Sequence, residues 1–179
     1  MPPSIASASL IAGILFAVTV PGTADATELV KPGLLITDKS LTAAQLNLME
    51  TAARRYDTFW NTGEEVFARE ALADNFIDKT PSEGRKQGVE GPLLASRAFR
   101  GAVPDLSCEV EQMIIAGDRV VVHLHFRGHF TGTFGETKGT GQTVDFIATD
   151  IYQIENGKIA ANWHIEDNLT LMKQLGVYR

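Results

Sequence analysis

TVDFIATDIYQIENGKIAANWHIE, residues 143–166, holds two runs of alternating apolar and polar side chains around Asn156-Gly157. That dipeptide supports a tight hairpin turn because Asn and Gly both tolerate positive φ. The segment therefore predicts two antiparallel strands, Thr143–Glu155 and Lys158–Glu166. The turn leaves two registers open. A two-residue loop pairs Ile154 with Ile159 and sets Asp150 across from Trp163. A bulge at Gly157 pairs Ile154 with Lys158, Asp150 with Asn162, and His164 with Ala148. A slip of one residue moves every side chain to the other face. The bulged register is favoured, because it gathers Phe146, Asp150, Tyr152, Asn162 and His164 on one face. A carboxylate, a phenol, an amide and an imidazole on an apolar wall have the composition of a small-molecule site.

Upstream, Ser107–Ile115 and Arg119–Phe130 alternate in the same way around Ala116-Gly117-Asp118, while Gly- and Thr-rich Thr131–Gln142 reads as a loop or twisted hairpin end. Before Leu106 the period is helical. Ser40 or Thr42 can cap a helix whose stripe runs through Leu46, Met49, Ala53, Tyr56, Phe59 and Trp60 and stops at Asn61-Thr62-Gly63. A short helix follows over Glu64–Leu72, then an extended Phe76-Ile77-Asp78, then a helix over Glu90–Ala102. Asn168–Leu175 closes the chain as a short helix before Gly176. Helices first and antiparallel strands afterwards give an α+β fold, with helices packed on one face of a curved sheet. By their spacing Phe59, Trp60, Phe67 and Phe76 are core residues.

The chain has 179 residues, a net charge of −6, 44% hydrophobic and 21% charged residues, and one cysteine. That length suits one folded domain, and the acidic balance offers no footprint for nucleic acid. Cys108 cannot form a disulfide within the chain, and its strand parity buries it. Residues 5–20 form an uncharged apolar run, followed by Pro21-Gly22 and the small-x-small triplet Ala24-Asp25-Ala26. The expectation is a cleaved signal peptide over 1–26, with an uncleaved anchor or a buried helix as alternatives. Cleavage implies a periplasmic or secreted protein with no membrane association. Residues 27–39, with Pro32 and Gly33, read as a flexible arm, and residues 40–179 as the domain.

His164 and Asp150 suit proton transfer on a carbonyl compound, since an imidazole titrates near neutrality and a carboxylate fixes its tautomer. A hydrogen-bonded structural pair is the alternative. Asp167 is either a third acid at the rim or, by preference, the cap of the last helix. His123, His125 and His129 share strand parity and raise a metal hypothesis. Their alternation with Val120, Val122, Leu124 and Phe126 assigns them to the solvated face, so no metal site is expected.

Val103-Pro104-Asp105-Leu106, Glu109-Val110 and Ala116-Gly117-Asp118-Arg119-Val120-Val121-Val122 resemble SnoaL-like polyketide cyclases of the NTF2-like superfamily. Arg127-Gly128-His129, Thr131-Gly132-Thr133-Phe134 and Gly139-Thr140-Gly141 extend the similarity, as do Asn156-Gly157-Lys158-Ile159 and Trp163-His164-Ile165-Glu166-Asp167-Asn168. The resemblance spans roughly Leu46 to Val177 and ends on Gln174-Leu175-Gly176. It implies a cone-shaped barrel, with N-terminal helices on the concave face of the sheet, a pocket between them, and a homodimer. It also implies intramolecular aldol chemistry without a cofactor. The acid/base residue of such cyclases matches His164, on the strand after the last hairpin, and its partner matches Asp150. The cyclases proper carry Asp where this chain has His164, and many relatives carry Asp-His where it has Asp78-Lys79.

The expected function is an exported acid/base enzyme acting on a small hydrophobic carbonyl compound, of the aldol cyclase, isomerase or dehydratase type. His164 would transfer the proton and Asp150 would orient it. Tyr152 or Asn162 would hold the enolate oxygen, with Phe146 and Trp60 against the substrate. The alternatives are a non-catalytic ligand-binding or dimerisation module, and a metal-binding protein built on His123, His125 and His129.

Overall fold

In the computed structural model, which describes residues 27–178, α1 (Ala43–Thr62) begins on a reciprocal cap. The Thr42 hydroxyl accepts from the Gln45 N–H, and the Gln45 carboxamide oxygen accepts from the Thr42 N–H. Gly63 ends the helix at φ 79, a conformation that costs glycine little. α2 (Glu65–Ala71) runs directly into β2 (Leu72–Asp78), and α3 (Glu90–Ala102) follows an eleven-residue loop. The signal peptide expected over 1–26 lies outside the described residues. No helix among the described residues is long and apolar enough to cross a membrane.

β3 (Ser107–Ala116), β4 (Arg119–Phe130), β7 (Gln142–Glu155) and β8 (Lys158–Glu166) form the expected antiparallel centre of a curved sheet. With β1 (Leu34–Thr37) the strand order is β1-β3-β4-β7-β8-β2. Both edges are parallel, β1 to β3 and β2 to β8. The stretch 131–142 contributes a small separate hairpin, β5 (Thr133–Phe134) and β6 (Thr137–Lys138), tied to α3 by Thr131 and Gly132 N–H groups on Ala102 O. α4 (Asn168–Gln174) closes the chain. The inner sheet face, with Val110, Met113, Val122, Leu124 and Tyr152, buries against Ala53, Tyr56 and Phe59 of α1, and Cys108 is buried as its parity requires.

Two expectations need correction. Residues 27–39 are docked, not a flexible arm. The Leu34-Leu35-Ile36 run supplies β propensity and covers the free edge of β3. The Arg54 guanidinium donates to the carbonyls of Val30 and Leu29 at 2.7 and 3.0 Å, and the Val30 N–H donates to Thr58.

The hairpin follows neither anticipated register. Asn156 and Gly157, at φ 51 and 75, form a two-residue turn that pairs Ile154 with Ile159. The extra residue enters later, at Ala160, so that Gln153 pairs with Ala161, Tyr152 with Asn162 and Asp150 with His164. Ile159, Ala160 and Ala161 are all buried, which the small alanine side chains permit at a bulge. The inward set Phe146, Asp150, Tyr152, Asn162 and His164 is therefore the anticipated one, but its cross-strand partners differ.

Arg54→Ala is expected to free residues 27–33 from α1, at a stability cost of about 1.5–3 kcal/mol. Faster amide hydrogen exchange confined to that stretch and β1 is the result to look for; unchanged protection there counts against the anchor.

Candidate active site

Between the concave sheet face, α1, α3, the loop before α3, and α4 lies a cavity of about 550 Å³. Its apolar wall is aromatic. Phe126 and Phe146, cross-strand neighbours on β4 and β7, stack at 5.1 Å, with Trp60 edge-on to Phe126 and Phe99 edge-on to Phe146. Asp78, Arg85, Asp150, Asn162, His164 and Glu166 form the polar part, and Tyr56 also lines the cavity.

The Ala160 bulge brings Asp150 and His164 directly opposite one another, both buried. No hydrogen bond joins them. His164 is held instead by two other carboxylates: Nε2 lies 3.0 and 3.2 Å from the Asp78 oxygens, and Nδ1 lies 2.7 Å from Glu166 Oε1. β2 delivers Asp78 because it pairs in parallel with β8, placing Asp78 level with Asn162. The Gln87 side-chain amide then secures the Asp78 backbone N–H and carbonyl, and Arg85 Nη1 approaches both Asp78 and His164 at 3.4 and 3.3 Å. Asp150 has one partner, Asn162, whose Nδ2 donates to Oδ2 at 2.8 Å. Its other oxygen makes no hydrogen bond among the described residues and lines the cavity.

These surroundings separate the two groups electrostatically. Burial raises the Asp150 carboxyl to about 6, although the Asn162 hydrogen bond and the His164 charge pull it down. Burial alone would lower His164, but the hydrogen bond and charge of Glu166, with the charges of Asp150 and Asp78, raise it to about 9. At neutral pH His164 is thus an imidazolium with both N–H groups engaged, and Asp150 is the group poised to exchange a proton.

Of the six side chains singled out in the sequence, His164, Asp150, Asn162, Phe146 and Trp60 meet in the cavity. Tyr152 does not line it: the Tyr152 hydroxyl donates to Asp57 Oδ1 at 2.7 Å behind the cavity wall. Asp78, Arg85, Glu166 and Tyr56 are additional. Glu166 shares the parity of His164 and was readable from it, whereas the position of Asp78 depends on a parallel pairing that no local pattern announces. Asp167 caps α4 through Thr170 N–H. His123, His125 and His129 lie on the opposite sheet face, engaged with Thr149, with Glu111 and Asp145, and with Asp105 respectively. Among the described residues no three His, Cys, Asp or Glu side chains are grouped to hold a metal ion.

The sequence profile of the SnoaL-like polyketide cyclase family matches residues 50–175. The chain belongs to that family. A Bacillus cereus ATCC 10987 protein assigned as a polyketide cyclase is 38% identical, with a TM-score of 0.78 over 86% of this chain and 97% of its own. TsrD from Streptomyces laurentii is 26% identical, with a TM-score of 0.66 over 76% of this chain and 98% of its own. A protein of Jannaschia sp. CCS1 assigned as a SnoaL-like polyketide cyclase shares the fold at 22% identity, with a TM-score of 0.67 over 79% of this chain and all of its own. No curated protein matches. Membership of the SnoaL-like family points to cofactor-free chemistry of the cyclase or isomerase type.

A carboxyl group whose pKa is raised by folding stabilises the native state fully below its unfolded value, near 3.8, and loses that contribution as pH rises through about 6. Asp150→Asn is therefore expected to be more stable than the wild type at pH 8, by on the order of 1–3 kcal/mol. The advantage should shrink toward pH 4 in thermal unfolding. A pH-independent difference would refute the raised pKa.

Proposed function

We propose that this SnoaL-like protein is an acid/base enzyme that forms and uses an enolate from a small hydrophobic carbonyl compound. The observation that carries the reading is the unpartnered Asp150 oxygen facing an aromatic cavity. In this scheme Asp150 carboxylate takes a proton from the carbon next to the carbonyl, and the bonding pair moves onto oxygen as an enolate. The enolate carbon then attacks a second carbonyl in the same molecule. Asp150 returns its proton to the alkoxide, completing an aldol cyclisation; return to carbon instead gives an isomerisation. His164 does not move the proton. As an imidazolium fixed between Asp78 and Glu166, it favours the ionised form of Asp150 and so tempers the cost of a buried base. The roles expected for the two residues are exchanged.

Deuterium exchange into the α-position of 2-tetralone, followed by NMR at pH 7, isolates the first step. Wild type is expected to accelerate it, with a rate rising through pH 6, and Asp150→Asn to lose about 10²–10⁴-fold. Equal exchange in wild type and variant overturns the assignment.

We also propose a homodimer formed through the outer sheet face. Ile36, Ile114, Val121, Ile151 and Trp163 fall in one register row across β1, β3, β4, β7 and β8. Ile36, Ile114 and Ile151 are exposed in the single chain. Light scattering of the wild type should give twice the chain mass and Ile151→Arg a single chain; a monomeric wild type removes the dimer.

A further inference from the structure

An enolate needs hydrogen-bond donors at its oxygen, and Tyr152, one of the two residues first expected in that role, supplies none. The Tyr152 hydroxyl is engaged with Asp57 outside the cavity. Asn162 Nδ2 gives one of its two N–H groups to Asp150, which ties this amide to the base itself. Tyr56 remains. Its side chain is 2% exposed, it lines the cavity, and its hydroxyl, beside the Trp60 indole N–H, donates to no described residue. A phenol on an aromatic cavity wall, with its own hydrogen unspent, is free to donate to a bound oxygen.

Resting on the reading of Asp150 as the proton-transfer group, we propose that Tyr56 is a catalytic residue whose hydroxyl donates a hydrogen bond to the enolate oxygen. The ring is fixed for this task on three sides. It stands edge-on to Tyr152 at 5.6 Å and to Trp60 at 6.0 Å, and stacks on Phe59 at 5.9 Å. A donor held this way needs little reorganisation as charge develops, which is the condition for effective oxyanion stabilisation. Burial, and then the Asp150 charge, push the phenol pKa up, while the neighbouring Trp60 favours its charged form. Tyr56 therefore keeps its proton across the range in which Asp150 titrates, and acts as donor, not base.

The test pairs 2-naphthol, an oxygen-bearing mimic of the enolate, with naphthalene as its apolar control. Tyr56→Phe is expected to weaken 2-naphthol binding about tenfold while changing naphthalene binding by less than about twofold. In 2-tetralone exchange the same variant should lose about 10²-fold in kcat with KM little changed, and keep the rate increase through pH 6. Tyr152→Phe, which removes a hydroxyl outside the cavity, is the folding control and should retain the wild-type ratio of naphthol to naphthalene affinity. Unaltered 2-naphthol binding in Tyr56→Phe overturns the donor assignment. Exchange lost in Asp150→Asn but full in Tyr56→Phe overturns that assignment alone. Full exchange in both overturns the enzymatic reading, and the assignment with it.

Discussion

Between the Asn156-Gly157 turn and the cavity, β8 carries one residue more than β7, and the excess is absorbed at Ala160. A tight two-residue turn, left to itself, sets Trp163 opposite Asp150 and sends His164 to solvent. The bulge reverses that parity within three residues of the turn. His164 and Asn162 then face inward with Asp150, while Trp163 turns outward beneath Arg119 and Lys79. The contacts that His164 and Asn162 make in the cavity depend on this reversal, because a strand offers its side chains to alternate faces.

Gathering five ionisable groups around one cavity, with Asp78, Asp150 and His164 buried, is tolerable only because most of them are paired. Asp78, Glu166 and Arg85 surround the imidazolium, so positive and negative charges alternate along β2, β8 and the loop before α3. Asp150 is the member held by an amide instead of a cation. Its environment therefore resists ionisation where those of Glu166 and His164 favour it, and that contrast separates a reactive carboxyl from a structural one.

The fold was legible because its signals are local. The Thr42 cap, the Gly63 stop, the helical stripe of α1 and the strand alternation each act within a few residues, and they place Glu90–Ala102, Arg119–Phe130 and Lys158–Glu166 at their observed bounds. The inward set on β7 and β8 was legible for the same reason. What escaped was non-local. β1 and the parallel pairing of β2 with β8 join segments distant in sequence, so the arm looked loose and Asp78 looked detached from His164. In the sequence Tyr56 belongs to a hydrophobic stripe, since helical spacing records that a side chain faces inward and not whether its polar tip finds a partner. Tyr152 shows the converse: correct parity placed it inward, yet its ring reaches past the cavity to Asp57.

Asp78 is gripped from two directions. Its backbone is clasped by Gln87 and its carboxylate is approached by Arg85, both from the loop whose Ser82 and Arg85 overhang the cavity. The overhang and the imidazolium are thus moored to a single residue. A guest large enough to lift this eave must tug on the anchor of the buried cation as it enters, so admission and the electrical state of the chamber are mechanically joined.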